Sequence, residues 1–172
     1  MPTAIGDSAA VLSLGSNLPP RNHWLDLALA TFGEEKGQLL AVTPRWNTAA
    51  IGTVPQPDFL NQLVLVEGPR QGWDWLALAQ ALEARAGRRR GIAHGPRTLD
   101  VDVILIGGEV WESAELTVPH PALLQRPYLL RGVADLVPDW VLPGDGRALA
   151  TVAQNLLVGS WSDSFRTTAA ED

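Results

Sequence analysis

Residues Thr98 to Ile106 read TLDVDVILI, and this run decides the fold. A strand places Asp100 and Asp102 on one face, with α-carbons about 6.6 Å apart, and Leu99, Val101 and Val103 on the other. Upstream, Trp75, Leu76, Ala79 and Leu82 recur at helical spacing between Trp73 and Ala86, and Gly87 ends the pattern. Further back, Phe59 to Val66 reads as a strand, with Phe59, Asn61, Leu63 and Leu65 on one side and Leu60, Val64 and Val66 on the other. Leu39 to Trp46 reads as another strand, joined to it by the proline-stiffened loop AAIGTVPQPD, Ala49 to Asp58. Ala9 to Leu14 is a short apolar strand closed by the turn residues Gly15-Ser16-Asn17. Pro19-Pro20 then open a helix with Trp24, Leu25, Ala28, Leu29 and Phe32 as its stripe and Gly33 as its C-cap.

Downstream, Gly107-Gly108 turns into Glu109 to Trp111, which with Leu116 to Val118 predicts a hairpin. Pro127 to Val137 predicts a helix with Tyr128, Leu129, Val133 and Leu136 on its apolar side. The order strand, helix, strand, strand, helix, strand is that of a split βαβ unit, so the expected fold is α+β: a ferredoxin-like sandwich. In this reading two helices cover one face of a mainly antiparallel sheet, and the other face is free for a ligand. One domain, residues 9–158, is expected, with loosely ordered ends at 1–8 and 159–172. Trp161 and Phe165 are expected to pack locally in the latter.

Composition narrows the function. The chain has 172 residues, 46% of them hydrophobic, enough for one core. Thirteen Lys and Arg against 19 Asp and Glu give a formal charge of −6, which disfavours nucleic acid and anionic membrane as partners. Cysteine is absent, so thiolate catalysis and sulfur-ligated metals are excluded, and a metal would be held by oxygen or histidine. No apolar run approaches the roughly 20 residues that span a bilayer, and the N-terminal stretch lacks the basic start of a secretory signal, so a cytoplasmic location is expected.

The chemistry is concentrated where GRRRGIAHGPR, Gly87 to Arg97, meets the acidic strand. Two readings of Asp100 and Asp102 stand: ion pairs with arginines of that loop, or a Mg²⁺ cluster completed by substrate phosphates. Arg88, Arg89, Arg90 and Arg97 beside such a pair describe a polyphosphate clamp, for which a nucleoside triphosphate suits better than RNA, or else a solvated basic loop. Three glycines give this loop the freedom to close. Neither G-x-x-x-x-G-K-[ST] nor G-x-G-x-x-G occurs. Of the histidines, His23 is read as surface, His94 as a phosphate contact or solvent-facing, and His120 as either aimed at the anion site or structural. The seven tryptophans are scattered and read mostly as packing.

Four segments taken together, LGSN (Leu14 to Asn17), QPDFLN (Gln56 to Asn61), GPRTLDVDVIL (Gly95 to Leu105) and TVPHP (Thr117 to Pro121), resemble the 6-hydroxymethyl-7,8-dihydropterin pyrophosphokinases in order and spacing. The similarity runs from about Ala10 to Leu156. The resemblance implies transfer of the β,γ-pyrophosphoryl group of ATP to the pterin hydroxymethyl oxygen, with two Mg²⁺ ions, by a monomer. It further implies that Asp100 and Asp102 bridge the metals and that Arg88 and Arg97 stabilise the transferring phosphates. Gln80, Glu83, Arg90, Thr117, His120 and Arg126 would line the ATP site. Thr48, Ile51, Phe59, Asn61 and Tyr128 would hold the pterin. The sequence departs from the family pattern at His94, where tryptophan is usual, and at Ala93, Ala49-Ala50, Phe59 and Glu115, so activity with altered affinity is expected. The contrasting expectations are a non-catalytic nucleotide-binding module and a Mg²⁺-dependent nuclease on the same aspartates.

Overall fold

The computed structural model describes residues 8–34, 37–68, 71–89, 91, 94–156 and 166–167. Strand β1 (Ala9–Ser16) is the centre of the molecule, entirely buried, and is followed by helix α1 (Arg21–Glu34). Strands β2 (Gln38–Val42), β3 (Trp46–Thr48) and β4 (Phe59–Glu67) lead to helix α2 (Gly72–Arg85) and strand β5 (Asp100–Ile106). A hairpin of β6 (Trp111–Glu112) and β7 (Thr117–Val118), helices α3 (Pro127–Leu136) and α4 (Leu149–Leu156), and strand β8 (Arg166–Thr167) complete the order.

The main sheet runs β5-β1-β4-β3-β8, with β2 also paired to β4. β1 is antiparallel to both neighbours, Gly15 lying opposite Asn61 on β4 and Asp100 on β5. This is the ferredoxin-like arrangement that the order of elements predicts.

Residues with one parity on the strands, Leu12, Leu14, Leu60, Val64 and Val101 among them, pack with Leu25, Phe32, Trp75, Ala79 and Leu82 of α1 and α2. The opposite face is not free, as the sequence reading had it. Val11, Leu63, Leu65 and Leu105 form a second apolar cluster with Leu129, Leu130 and Val133 of α3 and Leu149 and Val152 of α4. Helices therefore cover half of the second face as well, and only its other end is open.

Other boundaries also shift. The predicted strand from Leu39 to Trp46 is two strands, β2 and β3, interrupted at Thr43-Pro44-Arg45, because proline has no N–H for the ladder. Gly33 lies inside α1, which runs on to Glu34. Helix α4 was not read from the sequence. Within the segment expected to be a loose end, Arg166–Thr167 pair with β3, whereas Trp161 and Phe165 lie outside the described residues. No described helix is long and apolar enough to cross a membrane.

Two junctions place the functional segments. Beyond α2, the Gly87 N–H donates to Ala84 O and the Arg88 N–H to Glu83 O, both at 3.0 Å, and Gly87 has φ +67°. This Schellman end satisfies the last carbonyls and delivers Arg88 directly over the final turn of the helix. On α3, Gly132 lets the helix lie against β4: an added Cβ would sit 2.5 Å from Leu63 Cδ2. Leu63 is fully buried and has nowhere to move.

Gly132→Ala therefore gains about 1 kcal/mol of helix propensity but forces a methyl into a filled core, at a cost of about 1–3 kcal/mol. A net loss of stability is expected, read as a lower denaturant midpoint with an unchanged slope. An unchanged or raised midpoint would show that α3 is not held this closely.

Candidate functional site

The site arises where the second sheet face changes character. Read from the covered end to the open end, β1 presents Ala9 and Val11, then Ser13 and Gly15. β4 presents Leu65 and Leu63, then Asn61 and Phe59. β5 presents Leu105 and Ile104, then Asp102 and Asp100. The register puts Ser13 between Leu63 and Asp102, and Gly15 between Asn61 and Asp100. The N-terminus of α3 marks the border, and beyond it lies a cleft of about 1570 Å³. Gly15 is required here, since a Cβ would fall 2.9 Å from Asn61 Oδ1.

One end of the cleft is ionic. Asp100 Oδ1 accepts hydrogen bonds from Arg88 Nη1 at 2.8 Å and Arg97 Nη1 at 3.0 Å. Glu83 on α2 binds the same Arg88 nitrogen and accepts the Val101 N–H at 2.9 Å, tying helix, arginine and strand together. Burial raises the Glu83 carboxyl above its usual value. Burial and the nearby charge of Asp100 push Asp102 up to about 7, with Arg126 and Arg97 opposing the shift. Asp100 is thus paired with Arg88 and Arg97, as the first of the two sequence readings has it, and Asp102 beside it is partly buried.

His120 follows the hairpin, and its N–H donates to Ile104 O at 2.9 Å. Its Nδ1 accepts the Ala122 N–H at 3.1 Å, so the neutral ring carries its proton on Nε2, 3.9 Å from Asp102 Oδ1. Burial, reinforced by Arg126, lowers the His120 pKa.

The other end is suited to a flat, hydrogen-bonding ligand. Asn61, buried on β4, donates from Nδ2 to Thr48 Oγ1 at 2.6 Å, which leaves its orientation fixed. Arg97 Cζ stands 5.9 Å from the centre of the Phe59 ring, linking the ionic end to the aromatic one. Tyr128 lines the cleft from the first turn of α3, and burial raises its hydroxyl pKa. Ile51 is 66% exposed at the rim.

Of the sequence-predicted residues, Gln80, Glu83, Arg88, Arg97, Asp100, Asp102, His120, Arg126, Thr48, Ile51, Phe59, Asn61 and Tyr128 all border this one cleft. Thr117 does not: it sits exposed on β7, its hydroxyl donating to Ser113 O at 3.4 Å, because the alternation that buries Val118 turns its neighbour outward. Arg90 lies outside the described residues.

Sequence reasoning missed Asn17 and Gln56. Asn17 is fully buried, donates from Nδ2 to Gln56 Oε1 (2.9 Å) and Pro57 O (3.1 Å), and accepts the Arg97 N–H at 2.9 Å. Gln56 donates to His94 O at 2.7 Å, and His94 itself has φ +58° and is exposed. The signal for both lay within LGSN and QPDFLN, where they were read as turn and loop.

A family model described as 7,8-dihydro-6-hydroxymethylpterin-pyrophosphokinase (HPPK) matches residues 11–138. The chain belongs to that family. It is 37% identical over 139 residues to the 2-amino-4-hydroxy-6-hydroxymethyldihydropteridine pyrophosphokinase of Pseudomonas aeruginosa, covering 80% of this chain and 85% of that one. With the enzyme of the same description from Synechocystis it shares 33% identity over 147 residues, 86% of this chain and 75% of the relative. The wild-type Plasmodium falciparum HPPK-DHPS structure superposes with a TM-score of 0.65 at 13% identity, over 87% of this chain. The present chain spans 41% of that longer one, and the likeness there is one of fold. As an HPPK, the chain is an enzyme of folate biosynthesis that transfers a pyrophosphoryl group to hydroxymethyldihydropterin.

The raised acid of Asp102 predicts a pH signature. The folded state keeps its proton up to about pH 7, whereas the unfolded chain loses it near the ordinary aspartate value of 3.8. Its contribution to stability is therefore complete below about pH 4 and is lost as pH rises through about 7. Asp102→Asn, which never ionises, should melt close to wild type at pH 4 and progressively above it through pH 7. Thermal melts in metal-free buffer check this, and a difference independent of pH would contradict it.

Proposed function

We propose that this chain transfers the β,γ-pyrophosphoryl group of ATP to the hydroxymethyl oxygen of 6-hydroxymethyl-7,8-dihydropterin, releasing AMP. One observation carries the reading: the aspartates and arginines at one end of the cleft and the Thr48–Asn61 pair with Phe59 and Tyr128 at the other share a single continuous space. That is the layout required to hold a polyphosphate in line with an alcohol on a flat heterocycle.

Among the described residues no group of three or more His, Cys, Asp or Glu could enclose a metal. A pair of carboxylates nevertheless fits Mg²⁺, which is commonly held by one or two protein acids with the remaining positions filled by phosphate oxygens and water. The upward shift of Asp102 supports this, since a cation between the two acids would relieve their repulsion. Asp100 and Asp102 would hold two Mg²⁺ ions with the triphosphate. There the metals would neutralise charge on the transferring group.

The chain's own residues do the rest. Arg88 and Arg97 exchange the Asp100 carboxylate for phosphate oxygens, a swap that their forked donors make without losing hydrogen bonds. Gln80, Glu83, His120 and Arg126 border the nucleotide end. Neutral His120 presents an N–H rather than a charge. Asn61, fixed by Thr48, reads the amide edge of the pterin, and Phe59 and Tyr128 flank its ring. No dedicated protein nucleophile is needed, because the substrate alcohol attacks and position with charge neutralisation supplies most of the acceleration. All these residues come from one chain, in keeping with a working monomer.

Phosphorus NMR of the protein with ATP, Mg²⁺ and the reduced pterin should show AMP appearing in step with pterin diphosphate. ATP that binds and persists would favour a non-catalytic module. Asp100→Ala or Asp102→Ala should lower turnover by about a hundredfold or more while the protein stays folded, the scale of losing a main electrostatic stabiliser. Arg97→Ala should lower kcat more than it raises the ATP KM, and a loss confined to KM would remove Arg97 from the transition state.

A further inference from the structure

Strand β3 is three residues long, yet it carries the hydroxyl that orients Asn61. The break at Thr43-Pro44-Arg45 separates it from β2, and the loop of residues 49–58 follows it, so it gains no support along its own length. On its inner side it pairs with β4, Trp46 opposite Asn61, Asn47 opposite Leu60 and Thr48 opposite Phe59. Arg21 Nη1 adds a side-chain tie, donating to Asn47 Oδ1 at 2.9 Å.

Its outer side is occupied by β8. Asn47 lies opposite Arg166 and Trp46 opposite Thr167, in antiparallel register. These two residues lie beyond residue 138, where the family match ends. The connection that leads to them departs from α4, whose Val152 and Ala153 share an apolar cluster with Trp46. The C-terminal part of the chain thus meets β3 twice, through the core and through the sheet edge.

We infer that β8 is a positioning strand for recognition of the pterin, its main chain bracing the outer edge of β3 and so holding Thr48, Asn61 and Phe59 in place. A three-residue strand with one neighbour has few ladder bonds, and each is worth about 1 kcal/mol net, so such a strand frays readily. A second neighbour converts an edge strand into an interior one. The effect is confined by the order of the sheet: β8 and β5 are its opposite edges, and Asp100, Asp102, Arg88 and Arg97 cluster at β5. Bracing by β8 therefore acts on the pterin end of the cleft and leaves the nucleotide end alone.

The inference rests on the reading of this cleft as the pterin and ATP site, so the first measurement is turnover of the full chain with both substrates; no AMP would defeat that reading itself. With turnover established, Arg166→Pro and Thr167→Pro are compared with the full chain, together with a chain ended after Leu156. Successive residues of an antiparallel strand alternate between donating to the neighbour and pointing away, so at least one proline removes a ladder donor. That variant is expected to raise the pterin KM by about three- to tenfold, the equivalent of one hydrogen bond, with the ATP KM within about twofold of the full chain. The shortened chain should show the same split. If both prolines leave the pterin KM unchanged, or if the ATP KM rises in step with it, β8 is not a pterin-positioning strand. The proline variants decide the matter even if the shortened chain fails to fold.

Discussion

The side chain of Asn17 is the point on which the cleft hangs. It is buried at the end of β1, and the carbonyl and amide of its side chain join two loops that are far apart in sequence: Arg97 on one side, Gln56 and Pro57 on the other. Its own backbone N–H also donates to Arg97 O at 3.3 Å. A buried amide with its groups satisfied is stable, whereas one deprived of a partner costs about 1–3 kcal/mol, so the loops are held to β1 more firmly than their exposure suggests. Gln56 extends the link to the carbonyl of His94. The arginine end of the cleft and its aromatic end are thereby referred to one rigid strand. The departure from tryptophan at position 94 touches only a side chain here, because what is anchored is that residue's backbone.

Around this anchor the cleft is built by withdrawal of apolar side chains rather than by a special loop. Three adjacent strands stop presenting leucine, isoleucine and valine at the same level, and small, polar or aromatic residues take over beyond the N-terminus of α3. Gly132 permits α3 to lie low over the covered half, and Gly15 keeps the open half clear for Asn61. Asp102 is raised because it is partly buried and Asp100 is close, a repulsion that a bound cation would relieve.

Much of this was legible from the chain. The period of two in TLDVDVILI assigns both aspartates to one face, and the nearby arginines are confined by covalent connection, so the ionic end of the site follows from local spacing. The pairing of Asn61 with Phe59 on a strand face follows in the same way. What escaped depends on contacts that local patterns do not encode. The apolar stripe of α3 gives no indication of which sheet face it covers, and α4 is a helix of only eight residues that packs on α3, too short for its own periodicity to announce it. Asn17 looks like a turn residue until Gln56 and Arg97 are brought to it. Thr117 was carried by the motif TVPHP, but alternation on β7 buries Val118 and turns the threonine away from the cleft.

The irregularity in β5 has a consequence of its own. Leu12 pairs with Val103 and Val11 with Leu105, so Ile104 is an inserted residue in the ladder. Were the same residues in an unbroken ladder, Ile106 would share a face with Asp100 and Asp102. With the insertion, Ile106 joins the core under α1 and α2, while Ile104 and Leu105 both serve the core under α3. The strand thus changes phase once, as a seam joins two fabrics cut to different repeats. Loss of the single codon for Ile104 would leave an even alternation with the carboxylates and Ile106 each on their present side of the sheet, whereas loss of a codon on the regular stretch before it would throw one group or the other onto the wrong side.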